Sequence, residues 1–172
     1  MKATVMRAVS VRRTFSTLLA TGTLLALPVT AYCADPDLAS PEGVMAVTTQ
    51  VGVQNDAYIS QRGASKTATI AQTGGLNMAT ITQTGLNEAA IATQYGSGNV
   101  AGIIQAGVND VAAVRQYGVG NDAFVGQFGN NLMASVNQVG LLNKAVVIQL
   151  TPGLPVQTVN QVGIGRTSLV IR

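Results

Sequence analysis

Gln94-Tyr95-Gly96-Ser97-Gly98-Asn99-Val100-Ala101-Gly102-Ile103-Ile104-Gln105 is the stretch whose reading decides the fold, because Gln116-Tyr117-Gly118-Val119-Gly120-Asn121-Asp122-Ala123-Phe124-Val125-Gly126-Gln127 nearly repeats it. An internal period outranks other signals, since a repeating chain builds its core by stacking units. Outward from this pair the glutamines fall at Gln50, Gln61, Gln72, Gln83, Gln94, Gln105, Gln116, Gln127, Gln138 and Gln149, always eleven apart, with Gln161 following. A glycine comes two residues after nearly every one. Four residues before the next glutamine stands an alanine, and two before it a branched residue: Ile59, Ile70, Ile81, Ile103, Val114, Val125, Val136 and Val147. Ala, Ile/Val and Gln therefore share one parity, the period-2 mark of a strand with one buried face. Glycine and asparagine after each glutamine are turn residues that accept positive φ.

Eleven residues is close to three helical turns, so a helical array is the competing geometry. One glycine per unit would cost about 1 kcal/mol in a helix interior, and the chain has no charged outer face. Strands win.

A finer detail sets the pairing. Asn55, Asn77, Asn99, Asn121 and Asn143 stand five residues after their glutamines, whereas Asn87, Asn109 and Asn131 stand four after theirs. The period is thus twenty-two residues, two short strands and two different turns. The fold expected is all-β: a two-sheet parallel, cross-β solenoid of about five coils, roughly 24 Å tall. Its core is thin, so the inward glutamines and asparagines must satisfy one another as stacked amide ladders. An unpartnered buried polar group would cost roughly 1–3 kcal/mol. The unit opening at Gln83 departs from the pattern. Its Ile91 sits one place early, so either a bulge returns Ile91 to the inside or Ala92 leaves that layer underfilled.

Residues 1–33 read as an export signal. Lys2, Arg7, Arg12 and Arg13 form a basic start, Phe15 to Leu27 an apolar centre, and Pro28 precedes small residues, with cleavage expected after Ala31 or Cys33. Bulky Tyr32 argues against a lipidated Cys33, and the general secretory route fits better than the twin-arginine one. Four of the ten basic residues and none of the seven acids lie in this segment, so the remainder carries 6 − 7 = −1. That balance leaves no basic patch for nucleic acid. Residues 34–45 read as a polar, proline-broken, disordered leader, 46–149 as the solenoid, and 150–172 as a terminal unit broken by Pro152 and Pro155. In that unit Arg166 stands in an asparagine position and Arg172 in a glutamine position. A charge there ends a ladder, as a cap or as an attachment segment for anchoring.

Catalysis finds no support. The chain has no histidine and one cysteine, and Asp56, Glu88, Asp110 and Asp122 read as solvated turn residues. No cofactor, metal or small-molecule substrate is expected. Solenoid enzymes that cut polysaccharides line a groove with carboxylates and basic residues, and ice-binding solenoids need a regular threonine face that only Thr80-Ile81-Thr82 approaches. On the outer surface Tyr95 and Tyr117 should stack, with Val139 above them and Phe124 and Phe128 adding apolar area. What remains is assembly, since open coils with in-register strands form a cross-β building block.

The repeat resembles the curlin family, the subunits of bacterial curli fibres. The motif Gln-x-Gly-x-Gly-Asn-x-Ala-x-x-x-Gln is met in full at Gln94–Gln105 and Gln116–Gln127 and in part through Gln50–Gln149. The resemblance implies an extracellular functional amyloid, secreted unfolded, that serves adhesion and biofilm formation. It also implies the partners: further copies of itself, a major curlin subunit, and an outer-membrane secretion channel with accessory factors. The Ile/Val-rich strands, the segment Gln61-Arg-Gly-Ala-Ser-Lys66 and the arginine-bearing last unit look more like the minor, nucleating subunit than the major one.

Overall fold

The computed structural model describes residues 9–13, 29–33, 43–152 and 156–172. The apolar centre expected of the signal, most of the polar leader and Pro155 lie outside them. Fourteen strands run in chain order: β1 (Val9–Arg13), β2 (Val29–Cys33), β3 (Val44–Val53), β4 (Asp56–Ala64), β5 (Lys66–Gly75), β6 (Met78–Leu86), β7 (Ala89–Ser97), β8 (Val100–Val108), β9 (Val111–Val119), β10 (Asp122–Asn130), β11 (Met133–Leu141), β12 (Lys144–Gln149), β13 (Gln157–Ile164) and β14 (Thr167–Ile171). There is no helix among the described residues. The strands form two seven-stranded sheets, ordered β1-β4-β6-β8-β10-β12-β14 and β13-β11-β9-β7-β5-β3-β2. From β3 onward every pairing is parallel, so each coil contributes one strand to each sheet.

The register is the twenty-two-residue offset. Ala79 lies beside Ala101, Ile81 beside Ile103 and Gln83 beside Gln105. Identical residues thus sit over one another with interiors facing. Ile59, Ile70, Ile81, Ile103, Val114, Val125, Val136 and Val147 form the buried core with the alanines, and Val170 packs against it. In β7, Ala92 pairs between Ile70 and Val114 and is fully buried, while Ile91 is 43 % exposed. No bulge rescues Ile91, because parallel neighbours on both sides fix the register; that layer is underfilled instead.

The solenoid has six turns rather than about five. β13 and β14 continue both sheets in register, with Gln138 beside Gln161 and Val147 beside Val170. Here the offset becomes twenty-three, one extra residue being absorbed between β12 and β13. Pro152 falls at that exposed corner, where no ladder hydrogen bond is asked of it.

Two features are not foreshadowed by the repeat. β1 and β2, from the expected signal, pair antiparallel with β4 and β3, the strands of the first coil. The repeated glycines also do more than turn. At Gly96, with φ of 116°, an added Cβ would stand 1.9 Å from the carbonyl oxygen of Gly118 in the next coil. Any side chain there would push two coils apart.

Candidate functional site: the interior ladders

Alternation along each strand turns every ladder glutamine inward, and the parallel register places the next one directly over it. In one sheet Gln50, Gln72, Gln94, Gln116, Gln138 and Gln161 form a continuous chain of Nε2–H···Oε1 bonds of 2.7–2.9 Å. In the other, Gln61, Gln83, Gln105, Gln127 and Gln149 do the same at 2.7–2.9 Å. Each interior amide has a second N–H, and it too is engaged. Gln72 donates to Asp56 O at 2.9 Å, Gln94 to Met78 O at 2.9 Å and Gln116 to Val100 O at 2.8 Å. These bonds brace one sheet against the start of a strand in the other, a role the spacing alone did not reveal.

At one turn, Asn55, Asn77, Asn99, Asn121 and Asn143 form a second buried column. Each later asparagine donates both its backbone N–H and its Nδ2–H to the Oδ1 of the one before, at 3.0–3.2 Å. Nδ2 also donates to a glycine carbonyl of the next coil, as Asn99 does to Gly118 O at 3.0 Å. The asparagine column therefore donates toward β3 and the glutamine columns away from it. Asn87, Asn109 and Asn131 behave differently. They hold the left-handed positions of the other turn, with φ of 54–61°, and their side chains link in the solvent at 3.1 and 3.2 Å.

The inward slot of that second turn corrects one expectation. It lies five residues after the glutamine in every unit, and there it holds Lys66, Glu88, Asp110 and Leu132, all buried. Glu88 and Asp110 are therefore not solvated turn residues, because the coil geometry turns this position inward whatever residue occupies it. Lys66 Nζ and Glu88 Oε2 form an ion pair of 2.6 Å with both side chains sealed from water. Glu88 Oε1 accepts from the Gly107 N–H at 3.1 Å. Asp110 Oδ1 accepts from the Leu132 N–H at 2.9 Å, while its Oδ2 is buried without a partner. Burial raises the pKa of Glu88 above the ordinary carboxylate value, outweighing Lys66, and raises that of Asp110 against the Leu132 N–H. Of the other acids, Asp122 makes an exposed ion pair with Lys144 at 3.3 Å, a contact of little energetic weight. Asp56 is half-buried, with Oδ1 unpartnered.

Outside the ladders, the rings of Tyr95 and Tyr117 stack with centroids 5.1 Å apart, and Val139 follows in the same column. Phe128 is exposed and Phe124 half-buried. Arg166 continues the asparagine column through its backbone, its N–H donating to Asn143 Oδ1 at 3.0 Å, while its side chain is exposed. Arg172 is exposed too, its N–H donating to Ile148 O at 2.9 Å. At the opposite end Gln61 Oε1 is buried beneath β1 and accepts no hydrogen bond.

What this arrangement can do is template. A rung of inward amides and a parallel edge are complementary to another rung of the same kind. Neither the curated proteins nor the solved structures give a match. The model of the curlin associated repeat matches residues 45–74, 55–85 and 109–140. Those matches lie on the stacked coils just described, so those coils are similar to the curlin associated repeat.

Proposed function

We propose that this chain is the minor subunit of an extracellular curli-type fibre. It nucleates polymerisation of a major curlin and anchors the fibre at the cell surface, in the service of adhesion and biofilm formation. The observation that carries the reading is the incomplete first rung. Gln61 Oε1 lies buried and unpartnered at the position where a preceding coil would supply an amide donor. β1 pairs with the β4 backbone but runs antiparallel, and it leaves that oxygen unsatisfied. A parallel strand bearing glutamine in register would satisfy it, as every interior rung does. The nucleating role draws on the regular Ile/Val layers, which favour an ordered first template. The anchoring role draws on Arg166 and Arg172, both exposed on the last coil.

The test uses the chain lacking residues 1–33. It should bind an amyloid dye and form fibres diffracting at about 4.8 Å and about 10 Å. Added in trace amounts to a major curlin, it should shorten the lag of polymerisation strongly. Fibres only in bulk, without seeding, would make it the main subunit instead. A monomer that bound or cut polysaccharide without assembling would overturn the fibre reading.

A further inference from the structure

The column Lys66–Glu88–Asp110–Leu132 contains one oxygen that nothing satisfies, Asp110 Oδ2. Its surroundings can be read from the asparagine column, which the same backbone builds eleven residues out of phase. Asn99 Oδ1 accepts the Asn121 N–H at 3.1 Å, and Asp110 Oδ1 accepts the Leu132 N–H at 2.9 Å. The second branch is equivalent as well. Asn121 Nδ2 lies 3.3 Å from where a Cβ on Gly118 would stand, and Asp110 Oδ2 lies 2.7 Å from the same point on Gly107. In the asparagine column that branch donates to the glycine carbonyl nineteen residues on, as Asn77 does to Gly96 O and Asn121 to Gly140 O. The equivalent carbonyl for Asp110 belongs to Gly129. An ionised carboxylate would set two oxygens against each other there, away from water, and a proton converts the same atom into a donor.

We propose that the coil holds a proton-binding site: Asp110 enters the fold as the neutral acid, its Oδ2–H standing in for the amide N–H of an asparagine and donating to Gly129 O. Among the described residues the titratable groups facing Asp110 are Glu88, one coil away, and Lys66, two coils away and engaged by Glu88. On the other side the next coil presents Leu132. Lys66 favours the ionised form of Asp110, but it is two coils off and already paired, and the nearer charge, Glu88, favours the neutral one. Burial acts in the same direction. The sign follows. A carboxyl that is neutral in the fold and ionised in the unfolded chain makes folding take up a proton above the ordinary aspartate value of about 3.9. Its contribution to stability is fullest below that value and is lost as pH rises through the raised, folded-state pKa.

The experiment is urea unfolding of the soluble chain, followed by its β-sheet circular dichroism, for the wild type, Asp110→Asn and the exposed control Asp122→Asn. Above the ordinary aspartate value of about 3.9 the wild-type unfolding constant should rise with pH, by up to about tenfold per unit for each proton taken up. Asp110→Asn should lessen that slope, leaving the part that Glu88 contributes, and should exceed the wild type's stability at the neutral end. The control should keep the wild-type slope. An unchanged slope in Asp110→Asn would overturn the proposal, and so would its failure to fold, since an amide is what the slot accepts. The 13C resonance of the Asp110 carboxyl in the folded wild type gives an independent reading. It should keep the acid's position to a higher pH in the folded chain than in the urea-unfolded chain, and an equal or lower midpoint would overturn the assignment. Both measurements concern the single folded chain, whether or not it assembles.

Discussion

At the residue scale the unit of stability is one amide with three engagements. Gln94 accepts from Gln72, donates to Gln116 Oε1 at 2.9 Å and donates to Met78 O at 2.9 Å, all without contact with water. Gln94→Ala leaves Gln116 Oε1 and one N–H of Gln72 without partners. Each such buried group costs roughly 1–3 kcal/mol. We expect a loss of several kcal/mol in urea unfolding, against less than about 0.5 kcal/mol for half-exposed Thr93→Ala. Equal losses would mean that the ladder is not what holds the coils. The position of these amides was legible because eleven-residue spacing on the Ala/Ile parity admits one orientation. The second N–H was not legible, because its acceptor lies sixteen residues earlier in the opposite sheet.

At the element scale the two turns of each coil differ more than their lengths indicate. One repeats asparagine and satisfies itself; the other carries a cation, two acids and an apolar residue in the same inward slot. Removing one member of a buried ion pair strands the other, whereas replacing both with apolar groups does not. Lys66→Ala should therefore destabilise the chain by about 3–5 kcal/mol. The double variant Lys66→Met with Glu88→Met should come close to the wild type in the same urea titration. A double variant as unstable as the single one would contradict this account. The slot was present in the sequence, five residues after each glutamine. No repeated residue type marks it, because the asparagines of this turn, Asn87 and Asn109, stand one place earlier. Burial of Glu88 and Asp110 follows from backbone phase and not from residue type.

At the scale of the whole molecule the ends behave unlike the middle. β13 and β14 extend both sheets, and β1 and β2 lie antiparallel across the first coil. An edge covered by an antiparallel strand is hidden from a parallel one until that strand leaves. The chain of residues 34–172 should therefore associate with a several-fold shorter lag than the chain of residues 1–172 at equal concentration, measured by dye binding. An equal lag would show that β1 and β2 do not protect the edge. Outward residues supply no comparable order: the Tyr95–Tyr117 stack is a by-product of the register that aligns the ladders.

The sequence by itself determined the parallel two-strand coil. A strict twenty-two-residue identity of Ala, Ile/Val, Gln and Asn can be buried in no other way than by stacking like on like. Tertiary structure alone decided what happens where the identity fails. Ala92 rather than Ile91 fills its layer, Lys66 meets Glu88, Asp110 is left with an unpartnered oxygen, and the last unit joins despite Pro152. At those places neighbouring coils impose their register through backbone hydrogen bonds on both sides. The side chain then takes whatever surroundings that register assigns, which no reading of one unit in isolation can supply.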